Sequence, residues 1–154
     1  SGKDWQQEGC AAYQQMVSRL RTAGEMAKQE GITIGIRTGM GAKFDKKLLK
    51  KVGSSQTKVY YNFQDAADHH RDICKELRKL GAQRIVQIHA SNTDSVNLQE
   101  DPEINLPKIR KTLDKMKWSG WLVVERSRDV KRVRDVKYNF GRNIAYLKQV
   151  FQEW

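Results

Sequence analysis

Long apolar runs are absent from this chain of 154 residues. No segment approaches the roughly 20 consecutive apolar residues that cross a bilayer, so we expect no membrane-spanning helix. The start of the chain, Ser1-Gly-Lys-Asp4, also has no positively charged segment leading into an apolar stretch, as a signal peptide would. Its Ser1-Gly2 opening, without an initiator methionine, is typical of a cleaved tag.

Cysteine is scarce as well. Cys10 and Cys74 lie far apart, and neither has the Cys-x-x-Cys or Cys/His spacing of a structural zinc site. Two cysteines in a chain of this size fit reduced thiols better than a disulfide framework, although a single bridge stays open. The composition therefore predicts free thiols and a cytoplasmic location.

Acidic residues are outnumbered, with 18 Asp and Glu against 29 Lys and Arg, and the formal net charge is +11. Such a charge points first to polyanionic partners. The basic residues cluster on predicted helices and their flanking loops, however, and neither a nucleic-acid motif nor aromatic interleaving accompanies them. This pattern favours solvated helix faces over a nucleic-acid surface. The main basic clusters fall within residues 43–51, 108–117 and 126–137.

Strand and helix patterns alternate along the chain. Apolar residues at helical spacing predict a first helix between Trp5 and Glu30. Four β-rich runs follow, each with a helical pattern after it, which predicts an α/β protein with a parallel sheet and a single domain over residues 1–154. The predicted strands are 32–36, 58–63, 84–89 and 120–125. The predicted helices after them are 43–52, 66–80, one from Pro107 onward, and 135–154.

Four strands cannot close a barrel that needs about eight. A half-barrel (βα)4 would leave two unpaired sheet edges and an exposed inner face. We therefore expect a homodimer, in which a second copy related by a two-fold axis pairs its last strand with the first strand of this chain. The alternative is a small open sheet with helices on both faces.

Several motifs recur in a characteristic order. They resemble the C-terminal half of the xylose isomerase-like TIM barrels, the sugar phosphate isomerases and epimerases, and they follow the order of strands five to eight. The resemblance implies a half (β/α)8 barrel without its first half. The motifs are Val59-Tyr-Tyr-Asn-Phe63, Leu80-Gly-Ala-Gln-Arg-Ile-Val-Gln-Ile-His89, Ile104-Asn-Leu-Pro-Lys-Ile109, Trp118-Ser-Gly-Trp-Leu-Val-Val-Glu-Arg-Ser127 and Asn143-Ile-Ala-Tyr-Leu-Lys-Gln-Val-Phe151.

The same resemblance implies a divalent metal (Mn, Zn or Mg) held at successive strand ends, where it polarises a sugar substrate. His89 and Glu125 match the expected histidine and final glutamate, as metal ligands and catalytic groups. Asn62 stands where an aspartate is expected and offers its amide oxygen as a third ligand. Arg37 stands where a glutamate is expected, and its permanent positive charge opposes a bound cation.

Two readings of this site remain open. In one, His89 and Glu125 retain a metal, and Arg37, Arg126 and Arg128 bind the anionic group of a sugar phosphate. In the other, an Arg37–Glu125 ion pair replaces the metal, His89 is structural, and the chain is a noncatalytic half-barrel that self-associates. A two-fold dimer would also bring two copies of His89 and Glu125 to one mouth, where they could share a metal.

Two features suggest an engineered protein, with a natural fragment as the alternative. One is the tag-like start, and the other is the lysine density, including Lys117 where similar proteins usually carry glycine. Glycine at such a turn indicates a positive φ, which lysine tolerates poorly.

Overall fold

The computed structural model describes residues 6–92 and 94–152, so the tag-like Ser1-Gly2 start lies outside the described residues. Within these ranges a first helix precedes four strands, each followed by helix. The elements are α1 Ala11–Gln29, β1 Ile34–Ile36, α2 Ala42–Val52, β2 Thr57–Asn62, α3 Phe63–Ala67, α4 Ile73–Leu80, β3 Ile85–His89, α5 Leu106–Lys115, β4 Trp121–Val123 and α6 Val136–Phe151.

The strands form one parallel sheet in the order β1-β2-β3-β4, so each strand pairs with its neighbour in sequence. This order confirms the predicted α/β class. At the C-terminal end of the sheet, Asn62 pairs with His89 and His89 with Val123. Within the described residues β1 and β4 each have one paired side only, which leaves two free sheet edges.

The two faces of the sheet differ in burial. Alternate residues of β2, Val59 and Tyr61, are buried with Leu77 and Leu80 of α4 in the main apolar core. Tyr60, between them in sequence, is only partly buried. The helices therefore cover one face, and the other face, which lines the interior of a closed barrel, remains open.

Several predicted boundaries differ from the structure. The helix expected over 66–80 is two helices, because the chain turns at His70, whose φ is 51°, and α4 restarts at its N-cap Asp72. The first helix begins at Ala11 rather than near Trp5, since Cys10 caps it through Sγ; Trp5 itself lies outside the described residues. Trp121 in β4 is 78% exposed, although the apolar character of its side chain suits burial.

The expectation of free thiols is met. Cys10 and Cys74 are thiols rather than half-cystines. None of the described helices has the length and apolar character needed to cross a bilayer.

Candidate functional site

Four polar side chains leave the sheet at its C-terminal edge, one from each strand. Asn62 and His89 are the last residues of β2 and β3, Arg37 follows β1 directly, and Glu125 lies two residues beyond β4. Parallel strands bring such residues to one mouth, which is where barrel enzymes keep their active sites. The structure therefore places the four predicted residues at the same end of the sheet.

Asn62 is oriented by the helix that follows it. Its Oδ1 accepts a hydrogen bond of 2.7 Å from the backbone N–H of Gln64, which makes Asn62 the N-cap of α3. Its Nδ2 then lies 3.1 Å from Nδ1 of His89. The prediction that the amide oxygen serves as a metal ligand meets a physical obstacle here, because that oxygen caps a helix and the group facing His89 is a donor.

His89 sits between three neighbours. Its Nδ1 is 3.3 Å from Oε2 of Glu125, and its ring centroid is 4.2 Å from that of Tyr60. Burial lowers the pKa of His89 from its ordinary value, although the nearby Glu125 carboxylate acts in the opposite direction. A lowered pKa favours the neutral imidazole, and in the tautomer with its proton on Nε2 the ring accepts from the Asn62 amide at Nδ1.

Arg37 is held by a carboxylate that was not predicted. Its Nε and Nη2 donate to Asp65 at 2.8 and 2.7 Å, a bidentate pair. The bond to Asp65 is the main cause that raises the pKa of Arg37. Within one chain Arg37 and Glu125 do not pair with each other, since Arg37 pairs with Asp65 and Glu125 lies beside His89.

A buried polar network supports the loop after β1. Glu76 accepts from the backbone of Ala42 at 3.0 Å and from Arg71 at 3.3 Å. Asp45 accepts from the Thr38 hydroxyl and is almost fully buried. Burial raises the pKa of Asp45 to about 6. The network ties Arg71 to the backbone of that loop, because Arg71 Nη2 also donates to the Gly39 carbonyl at 3.1 Å.

Arg126 and Arg128 share one internal partner. Arg126 Nη2 donates to Asp94 at 2.9 Å and Arg128 Nε at 2.8 Å. The bond from Arg128 is the main cause that lowers the pKa of Asp94 to about 2. Ser127, between the two arginines, is buried at φ 81°, and its hydroxyl accepts from the Asn92 N–H at 2.7 Å. The three arginines expected to bind an anion therefore all carry internal carboxylate partners.

The residues at the mouth of one chain do not fit a divalent metal. Hard cations need several oxygen or imidazole ligands. His89 and Glu125 supply two, Asn62 presents its amide hydrogens, and Arg37 adds a cation. Among the residues that the structure describes, no cluster of three or more His, Cys, Asp and Glu side chains is arranged to hold a metal.

Three residues of the site were missed from the sequence: Tyr60, Asp65 and Asp94. Asp65 had a usable signal, because it follows the N-cap Asn62 by three residues, at the position where an acidic residue faces the start of a helix. Tyr60 alternates with the buried Val59 and Tyr61, so period two places it on the inner face with His89. Asp94 lies in an irregular loop, where local pattern predicts no partner.

Comparison with known proteins decides the family. A sequence model described as xylose isomerase-like TIM barrel matches residues 1–150. The chain belongs to that family. This confirms the resemblance found in the strand-end motifs. No curated protein matches the chain.

Solved structures show how much of a xylose isomerase-like barrel is present. D-psicose 3-epimerase from Clostridium cellulolyticum H10 is similar with a TM-score of 0.71 at 15% identity, over 90% of this chain and 55% of that protein. An AP endonuclease of family 2 from Brucella melitensis gives a TM-score of 0.67 at 16% identity, over 88% and 57%. At these identities the likeness shows the fold. The chain spans about half the length of these proteins, which agrees with a half-barrel.

Proposed function

We propose that this chain is a half-barrel that associates with a second copy to complete an eight-stranded barrel, and that its own mouth carries no efficient metal-dependent catalysis. The observation that carries the proposal is a free sheet edge on each side of the sheet, with an apolar groove beside it. Unpaired edges are templates for further strands.

The first groove lies beside β1. It has a volume of about 590 Å³ and is lined partly by Met16 and Leu20 of α1 and by Ile36 of β1. Leu48 of α2 closes its floor and is fully buried. The groove thus joins a strand edge to a helix face, which is the shape that a neighbouring strand and helix of a barrel would fill.

The second groove lies beside β4, on the opposite side of the sheet. It has a volume of about 620 Å³, and Trp121, Leu122, Ile144 and Phe151 are among its lining residues. Trp121 and Ile144 are exposed in the single chain. A large exposed apolar surface of this kind marks an interaction site.

A second copy satisfies both edges at once. Four strands from each copy make the eight that close a barrel of this class. Under two-fold symmetry β1 of each copy meets β4 of the other, so both grooves are filled by the same contact repeated twice. Any other partner would have to bring four strands of its own.

The test is the molar mass of the protein by light scattering, before and after Mn²⁺ and then a chelator are added. We expect twice the chain mass of 17.8 kDa under all three conditions. The variant Trp121→Lys, which puts a charge into the second groove, should be monomeric. Val130→Lys is the matched control, because Val130 is exposed but outside both grooves. A monomeric wild type at tens of micromolar would refute the proposal.

The second candidate function is a divalent-metal-dependent sugar or sugar phosphate isomerase or epimerase. The contact of His89 with Glu125 at the strand ends favours it. The lowered pKa of His89 and the partial exposure of Glu125 also suit groups that meet a substrate. A dimer would present both residues twice around one mouth.

This candidate is tested by incubating the protein with D-fructose and Mn²⁺ and separating the ketohexoses by chromatography. We expect no epimer to form above the level seen with Glu125→Gln. Product formation that is lost in Glu125→Gln would establish the enzyme and overturn the noncatalytic reading.

A further inference from the structure

We infer that the mouth of the completed barrel is shared between the two copies, with Arg37 of each copy paired to Glu125 of the other. This inference rests on the proposed dimer. The two residues at the strand ends recognise each other across the dimer, and their contact fixes which sheet edges meet.

The two residues mark the two edges of the sheet. Arg37 directly follows β1 and Glu125 closely follows β4, so within one chain β2 and β3 lie between them. Two-fold closure places β1 beside β4 of the second copy, in parallel. Both residues leave their strands at the C-terminal edge, so closure brings the guanidinium and the carboxylate together twice, once at each junction.

Both groups retain unused bonding capacity. Arg37 donates to Asp65 through Nε and Nη2, which leaves the hydrogens of Nη1. Glu125 contacts His89 through Oε2, which leaves Oε1. The side chains are 39% and 49% exposed in the single chain, so neither is enclosed by its own fold. Asp65 holds the guanidinium in place and reduces the entropy lost on pairing.

The high net charge of each copy makes the contact between Arg37 and Glu125 important for association. Each copy carries a formal charge of +11, so two copies repel each other at long range. Local pairs of opposite charge at the junctions would oppose that repulsion. They would also favour the pairing of β1 with β4 over the pairing of β1 with β1. A parallel pairing of like edges would place Arg37 against Arg37 or Glu125 against Glu125.

Charge-reversal variants test the pairing, because the specific pair and general repulsion predict opposite changes in the strength of association. Arg37→Glu lowers the net charge of each copy by two, so general repulsion alone predicts tighter association. The specific pair predicts the opposite, because the variant opposes two glutamates at each junction, and we expect association about tenfold weaker. Lys75→Glu is the matched control, since Lys75 is exposed on α4, away from both edges, and should associate at least as well as wild type.

Mixing two variants separates pairing from folding. Arg37→Glu alone opposes Glu to Glu, and Glu125→Arg alone opposes Arg to Arg. An equimolar mixture can form a heterodimer in which both junctions have opposite charges. Light scattering should show weak self-association of each variant and a dimer in the mixture, with thermal unfolding followed by circular dichroism to check that each variant is folded.

The results of these experiments distinguish a failure of the Arg37–Glu125 pairing from a failure of the proposed dimer. A monomeric wild type would refute the proposed function and this pairing with it. A dimeric wild type whose association is unchanged by either reversal would refute the pairing alone. Two folded, weakened variants that fail to combine in the mixture would also overturn it.

Discussion

The amide Nδ2 of Asn62 lies 3.1 Å from Nδ1 of His89, and it is held there because Oδ1 of the same side chain caps α3. A donor placed against Nδ1 stabilises the neutral imidazole whose proton is on Nε2. Glu125, 3.3 Å from the same nitrogen, would instead favour the protonated ring. Asn62 and Glu125 therefore act on Nδ1 of His89 in opposite directions.

The first prediction concerns Asn62→Asp. A carboxylate can cap α3 as the amide does and would replace the donor at His89 with an acceptor. We expect the pKa of His89, lowered in the wild type by burial, to rise in the variant. NMR titration of the histidine ring protons measures it.

His69 and His70 serve as internal references, because both are exposed and complete the set of three histidines. An unchanged His89 titration in the variant would show that the Asn62 contact has no electrostatic effect.

The second prediction is that two substitutions create a metal site. The double variant Arg37→Glu with Asn62→Asp removes the guanidinium and surrounds His89 with three carboxylates, counting Glu125. Oxygen and imidazole ligands of this kind suit Mn²⁺. We expect saturable Mn²⁺ binding in the double variant and none in the wild type, measured from the electron paramagnetic resonance signal of free Mn²⁺.

The matched control is Arg37→Gln with Asn62→Asp, which removes the cation but adds only one carboxylate and should bind more weakly. Adding His89→Ala to the double variant should abolish binding. If the double variant binds no better than the wild type, these strand ends do not converge closely enough to hold a metal.

The sequence predicted the order of elements well because each strand and helix has a strong local period. It predicted less of the site. Which atom of Asn62 faces His89 depends on the helix cap at Gln64, and the partner of Arg37 depends on Asp65, 28 residues away, approaching from α3. The 78% exposure of Trp121 was missed because the apolar character of its side chain suits burial.

The third prediction concerns Lys117, for which the sequence indicated a positive φ. Its φ is 54°, so this expectation is confirmed. Non-glycine residues are disfavoured there by about 1 kcal/mol. Lys117→Gly should raise the free energy of unfolding by about that amount, measured by urea denaturation. Lys115→Gly, two residues earlier at the end of α5, should lower it by about 1 kcal/mol. Equal effects of the two changes would contradict the strain argument.

The fourth prediction concerns the buried carboxyl of Asp45. Its pKa is raised to about 6 by burial, so the folded state binds a proton more readily than the unfolded chain does. Asp45 therefore lowers stability above pH 6, and this cost is lost as the pH falls from about 6 to about 4.

Asp45→Asn keeps an acceptor for Thr38 without the charge. We expect the variant to be more stable than the wild type at pH 8, on the order of 2 kcal/mol, and the difference to shrink toward pH 4. Urea denaturation at several pH values measures this. Asp68→Asn, at an exposed position, is the control and should change stability little at any pH. A variant less stable than the wild type at pH 8 would mean that the carboxylate of Asp45 stabilises the loop after β1 by more than its burial costs.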